Sequence, residues 1–154
     1  MQDQAQVLHP NLWTVMRVAA LCHACLGNHA VAIELLEKAL GPSGGHPWVV
    51  SNLGDVHLIA GNIDEGRRHL EACLALAETR YVQPSILAMA HGSLGRMDEA
   101  FDSFERAIRE RDLLPVTNHF IAGHPVTRDP RFPALMRRIG LTPSEGRNWP
   151  SRRS

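Results

Sequence analysis

The chain repeats one phrase three times, as Leu26-Gly27-Asn28, Ala60-Gly61-Asn62 and Leu94-Gly95-Arg96. Successive glycines of the phrase are 34 residues apart. Glycine tolerates the left-handed backbone conformation that closes a helix, so a helix is expected to end at each phrase. Another helix is expected to begin just after it, because Asn28 and Asn62 stand at the N-cap position and asparagine is a preferred N-cap residue.

The same interval relates residues on both sides of the phrase. Small residues lie seven positions before and five after each glycine, and large apolar residues lie nine after. These residues are Ala20, Gly54 and Ala88, then Ala32, Gly66 and Ala100, then Leu36, Leu70 and Phe104. Small residues let two antiparallel helices approach closely, and large ones fill the space between pairs. A period of this length predicts stacked helix pairs.

Over residues 13 to about 112 the chain resembles the tetratricopeptide repeat family. Three stretches fall in phase with the family pattern: Ser51-Asn52-Leu53-Gly54, Asp64-Glu65-Gly66 and Met97-Asp98-Glu99-Ala100-Phe101. The resemblance implies an all-α, right-handed solenoid of three helix pairs, with a partial N-terminal helix and a C-terminal capping helix. Gly66 replaces the alanine that is usual in the family, so the second repeat is expected to be the loosest.

The period also divides the chain into segments. Residues 1–12 are predicted to be a remnant helix of a preceding repeat, and the repeats are expected at about 13–46, 47–80 and 81–114. A capping segment at 113–141 is expected to contain a helix near 129–139, since Asp and Pro open it. Its apolar stripe is Phe132, Leu135, Met136 and Ile139. Residues 142–154 are predicted to form a disordered tail.

The C-terminal part carries a more specific resemblance, from Tyr81-Val82 to Arg138-Ile139-Gly140-Leu141. These roughly sixty residues resemble the ending of repeat regions in bacterial multidomain signalling proteins, namely adenylate cyclases, winged-helix regulators and some protein kinases. The chain shows none of the catalytic or DNA-binding domains of such proteins. The resemblance implies an accessory region rather than an enzyme.

Composition narrows the classes of partner. The formal net charge is zero, which gives no electrostatic reason to expect nucleic acid or a membrane surface. No apolar stretch approaches the roughly 20 residues that span a bilayer, and the first residues lack the features of a secretory signal. Three cysteines are an odd number, unlike a disulfide framework. A cytoplasmic location is therefore expected.

Three histidines, His23, His57 and His91, repeat with the same period, four residues before each glycine. Stacked repeats are about 8–10 Å apart, too far for three imidazoles to bind one metal ion at about 2 Å. We interpret them as half-buried rings at a position where the repeat family usually has an aromatic residue. The alternative is that they form a packed contact between repeats whose stability depends on pH.

Two other groups could carry chemistry. Cys22-His23-Ala24-Cys25 lacks a second pair at zinc spacing, although His29 could be a third ligand. His119 and His124 lie near Asp112 and Asp129, in a region without any nucleophile motif. We therefore expect no catalytic residues, no metal and no cofactor. The arginine-containing tail is interpreted as a solvated end rather than a nucleic-acid contact; it carries Arg147, Trp149, Arg152 and Arg153.

The family resemblance implies a concave groove lined by the first helix of each pair. The residues expected to line it for a partner are Arg17, Leu21, Trp48, Ser51, Asp55, Leu58, Ser85 and Met89. This mostly apolar set suits an amphipathic helix, an extended apolar peptide or an adjoining domain of the same polypeptide.

The sequence thus predicts a non-catalytic scaffold for protein–protein interaction. Two alternatives stay open. The first is a homo-oligomerisation module that uses an open N-terminal repeat face. The second is a small metal-binding protein or enzyme that uses histidine and cysteine residues.

Overall fold

The computed structural model describes residues 12–112 and 124–140. Within these ranges the chain is helical and has no β-strand, which confirms the all-helical prediction. The helices are α1 (Leu12–Cys25), α2 (His29–Leu40), α3 (Pro47–Ile59), α4 (Ile63–Leu76), α5 (Pro84–Ser93), α6 (Met97–Arg109) and α7 (Arg131–Arg138), with a 3-10 turn at Pro125–Arg128. The predicted remnant helix at 1–12, apart from Leu12, and the predicted tail at 142–154 lie outside the described residues, as does His119.

Short connections join α1 to α2, α3 to α4 and α5 to α6, and each pair packs against the next. Gly27, Gly61 and Gly95 close the first helix of each pair with φ of 83°, 87° and 80°, as the repeated phrase predicts. The N–H that follows each glycine donates to the carbonyl oxygen of the histidine five residues earlier, at 2.8–2.9 Å. This bond is typical of a helix that ends in a left-handed residue.

The asparagines of the phrase begin the next helix but do not cap it through their side chains. Asn28 and Asn62 occupy the N-cap positions of α2 and α4, as expected, but neither side chain makes a capping hydrogen bond. Instead, the amide Nδ2 lies 3.4 Å from Nδ1 of His23 in the first pair and 3.2 Å from Nδ1 of His57 in the second. The helix-closing turn brings the two side chains together, so the ring competes successfully for the amide.

Helices α3 and α4 approach each other at two opposed glycines. A methyl group on Gly54 would lie 2.5 Å from Cγ of Leu70 and 3.0 Å from the carbonyl oxygen of Gly66. A methyl group on Gly66 would lie 2.9 Å from the carbonyl oxygen of Gly54. The expectation that Gly66 loosens this repeat is therefore wrong: with no side chain on either residue, the two backbones lie in close contact.

The C-terminal segment covers the exposed end of the third pair. Val126, Leu135 and Met136 are buried against α5 and α6, where Phe101 and Phe104 form an edge-to-face pair. Two ion pairs cross the edge of this contact, from Arg131 to Asp98 and from Arg138 to Glu105. Among the described residues, no helix is both long enough and apolar enough to cross a membrane.

Candidate functional site

The groove face is the side of α1, α3 and α5 that carries the eight residues predicted to line a groove. On α3, Ser51 and Asp55 are buried, whereas Leu58 is half-buried. The Ser51 hydroxyl is buried without a hydrogen-bond partner. Ile59 lies eight residues after Ser51, hence on the same face of the helix, and it is 55% exposed. Ile59 was not among the predicted residues, although its spacing from Ser51 and Asp55 would have identified it.

On α1 the positively charged residue predicted to line the groove, Arg17, already contacts other residues of the protein. Nη1 of Arg17 donates to Oδ1 of Asn52 at 3.2 Å, and the guanidinium lies 5.2 Å from the centre of the Trp48 ring. Partial burial lowers the pKa of Arg17. Arg17 therefore ties the first repeat to the second, while Leu21, one turn later on α1, is left half-buried.

On α5 the predicted residues Ser85 and Met89 are both buried. The segment around Pro125–Arg128 returns to this side of α5, because a methyl group on Gly92 would lie only 2.2 Å from Cγ1 of Val126. Met89 and Val126 belong to one apolar cluster. The groove face of the third repeat is thus occupied by the protein's own chain.

A buried polar chain links this segment to the second repeat. The Val126 N–H donates to Nδ1 of His124 at 3.3 Å, so Nε2 carries the ring proton and lies 2.7 Å from Oγ of Ser93. The Ser93 hydroxyl in turn donates to Asp55 at 2.5 Å. Burial raises the pKa of Asp55 to about 7, opposed by the Ser93 hydrogen bond, and burial lowers the pKa of His124 to about 4.

The hydrogen-bonded residues Asp55, Ser93 and His124 are not arranged for nucleophilic catalysis. A serine nucleophile needs a histidine base that is oriented by a carboxylate, whereas here the serine lies between the other two groups and donates its proton to Asp55. His124 does not join the predicted cluster with Asp112 and Asp129. Asp129 pairs with Arg131 instead, and Asp112 accepts a hydrogen bond from the Ser85 N–H.

The cysteines offer no three-ligand metal site with their neighbours in the described ranges. Cys22 and Cys25 are exposed and form no disulfide. Cys73 is buried, donates to the carbonyl oxygen of Pro47 at 3.6 Å, and has its pKa raised to about 12, mainly by burial.

The second repeat does bring together three residues that sequence reasoning did not connect. One ligand atom from each of His57, Glu65 and His69 lies within 4.8 Å of the other two. The rings of His57 and His69 are parallel to within 10°, with their centres 5.4 Å apart. The sequence pattern places His57 only among the three periodic histidines, His23, His57 and His91, which we call the histidine ladder. The spacing of Glu65 and His69, four residues apart on α4, was the unused signal.

Comparison with known families identifies one part of this array. Residues 86–111, which cover most of α5 and all of α6, match the family model of the tetratricopeptide repeat. No curated protein and no solved structure is similar enough to this chain to count as a match.

Proposed function

Since this chain carries a tetratricopeptide repeat in an all-helical array, we propose that it is a non-catalytic scaffold that binds a peptide or partner domain along its groove face. Repeats of this family generally act by binding proteins. The partner-binding part is the first two repeats, where Leu21, Leu58 and Ile59 remain at least partly accessible. The resemblance of the C-terminal part to the endings of signalling proteins supports a role as an accessory region of a regulatory system.

One observation carries the proposal: the groove face of the third repeat already holds a peptide segment. Val126 packs over Gly92 and Met89, while His124 contacts Ser93 through a hydrogen bond. This surface thus holds a turn of the protein's own chain through one apolar side chain over a glycine and one neighbouring hydrogen bond. A partner segment would lie on the same side of α1 and α3, where Ala24 and Leu58 stand at the position of Gly92.

Two isoleucines of nearly equal exposure provide a matched test. Ile59 ends α3 on the groove face and is 55% exposed, whereas Ile63 begins α4 and is 51% exposed. A photo-reactive amino acid placed at either position, in cells that naturally make the protein, reports which side meets a partner. We expect a defined cross-linked product from position 59 and its loss when Leu21 is changed to Asp. Equal cross-linking from both positions would contradict the proposal.

Self-association is a second candidate, favoured by an exposed apolar strip on α1. Val15 and Val18 are 64% and 52% exposed, on the outer side of the first pair. If copies stack through this strip, sedimentation of the full chain should depend on concentration, and changing Val15 and Val18 together to Asp should remove that dependence. A monomer at all concentrations would exclude this candidate.

A further inference from the structure

We propose that His57, Glu65 and His69 form a binding site for one divalent transition-metal ion of the Zn²⁺ class. The site joins the end of α3 to the first half of α4 and lies apart from the groove face. Two imidazole nitrogens and one carboxylate oxygen form a ligand set that Zn²⁺ takes commonly, and that oxygen-preferring Mg²⁺ and Ca²⁺ do not. The inference does not depend on the proposed partner binding.

The distances suit one shared ion. Ligand atoms at a tetrahedral zinc lie about 3.3 Å apart, and two rings bound through nitrogen have centres about 5 Å apart. The ring centres of His57 and His69 are already 5.4 Å apart. Nε2 of His69 is 3.9 Å from a carboxylate oxygen of Glu65. Because a metal ion lies in the plane of each imidazole that binds it, the two nearly parallel rings must turn toward each other to share the ion.

His57 is the oriented member of the three. Its side chain is buried, and its Nδ1 faces the Asn62 amide at 3.2 Å, which leaves Nε2 for the ion. When the ion is bound at Nε2, Nδ1 carries the ring proton, so the Asn62 amide must turn over to present its oxygen in place of the Nδ2 that faces the ring here. An outer hydrogen bond of this kind fixes the ring orientation of a metal-binding histidine.

The charges around the site leave Glu65 available. Glu65 pairs at 2.5 Å with Arg68, whose side chain is mostly exposed and can move to solvent when the carboxylate binds an ion. Burial lowers the pKa of His69, and Arg68 and His57 act in the same direction. Glu65 and Glu37 of α2 oppose this shift. A metal ion binds the neutral form of an imidazole, so zinc binding is expected to weaken as pH falls.

The neighbouring repeats show that the trio is specific to the second one. At the positions of Glu65 and His69, the first repeat has Val31 and Leu35, and the third has Glu99 and Ser103. Three ladder histidines thus share one position, but a second histidine faces only His57. His91 is consequently the matched control for any test of the site.

Zinc titration of the full chain in competition with a chromophoric chelator tests the proposal. The parent carries Cys22→Ser and Cys25→Ser, which removes the exposed thiols as an alternative source of binding. We expect one zinc ion per chain, and at least about tenfold weaker binding in His69→Gln and in Glu65→Gln. His91→Gln should bind as the parent does.

The two ligand variants separate loss of binding from loss of fold. On α4 the side chain of Glu65 is exposed and that of His69 is half-buried, and circular dichroism of each variant should match the parent. Binding that is absent in the parent, or unchanged in both ligand variants, would overturn the proposal. An equal loss in His91→Gln would overturn it as well, because the third repeat lacks the second histidine.

Discussion

The second and third repeats share one helical framework but differ in the residues that it carries. In the second, opposed Gly54 and Gly66 bring two backbones into contact, whereas the third has Ala88 and Ala100 at these positions. The groove face of the second presents Asp55 where the third presents Met89. The difference shows that a repeat period specifies where side chains lie, while individual substitutions decide how closely the helices pack and which side chains can ionise.

The largest expected effect on stability comes from replacing Asp55. Asp55 is a buried group that can ionise, whereas Met89, at the same position of the third repeat, cannot. The pKa of Asp55 is about 7 rather than 3.8, so ionisation opposes folding; stability falls as pH rises from about 4 to about 7. We expect Asp55→Asn to raise the free energy of unfolding by about 2–4 kcal/mol near pH 8, and by little near pH 4. Urea unfolding at both pH values measures the change.

His124 gives the control for this prediction, since its sign is opposite. Its pKa is lowered from 6.5 to about 4, so the stability it supplies is lost as pH falls through that interval. In Asp55→Asn this effect stands alone, and acidification to about pH 4 should destabilise the variant more than the parent. A stability difference that does not change with pH would show that Asp55 is not a buried carboxylate.

A smaller effect is expected where the helices of the second repeat touch. Gly54→Ala makes the second repeat resemble the third at this position and places a methyl group 2.5 Å from Cγ of Leu70. We expect a loss of about 1–3 kcal/mol in unfolding free energy, measured by thermal and urea unfolding. Gly41→Ala is the control, because Gly41 has helical φ and no atom near its Cβ position. Equal stability of the two variants would contradict the close backbone contact.

Gly92→Ala tests the occupied groove of the third repeat. The added methyl group would meet Cγ1 of Val126 at 2.2 Å and displace the segment around Pro125–Arg128. We expect a loss of about 1–2 kcal/mol and faster proteolysis within this segment. Val126→Ala removes the clashing atom, so the same glycine change should cost less in that background. A cost that is unchanged by Val126→Ala would mean that the segment does not lie against Gly92.

The smallest effect is expected at the third ladder histidine. Nδ1 of His91 is buried without a partner, since Arg96 stands where the other repeats have asparagine. Arg96→Asn should supply that partner and add about 0.5–1 kcal/mol of stability. Because Arg96 also pairs with Glu71, the comparison belongs in a Glu71→Gln background. A loss of stability there would show that the amide does not reach the ring.

Much of this fold could be predicted because its signals are local. One period of the sequence is enough to identify the glycine that closes a helix, as Gly27, Gly61 and Gly95 illustrate. It is also enough to identify the residues that face the partner helix. The groove face was harder to predict. The burial of Met89 beside Val126 depends on where the chain returns after α6, and no periodic pattern records that path.

The contact of the Asn62 amide with His57, in place of a capping hydrogen bond, could not be predicted from the sequence either. Asparagine at the start of a helix ordinarily caps it, and only the turn geometry shows that the ring of His57 lies within reach of its amide. The cluster of His57 with Glu65 and His69 could not be predicted for a related reason. Its members come from two helices, so the period of either helix alone does not connect them.

If a ligand binds along the groove face as proposed, the segment held against α5 limits the length of ligand that can bind without displacing it. A short ligand meets only α1 and α3 and competes with nothing. A longer one must first displace Val126 from Gly92, so its apparent dissociation constant rises in inverse proportion to the fraction of molecules in which that segment is released. Val126→Ala, which weakens the hold of this segment and leaves α7 in place, would reduce this competition and favour long ligands over short ones.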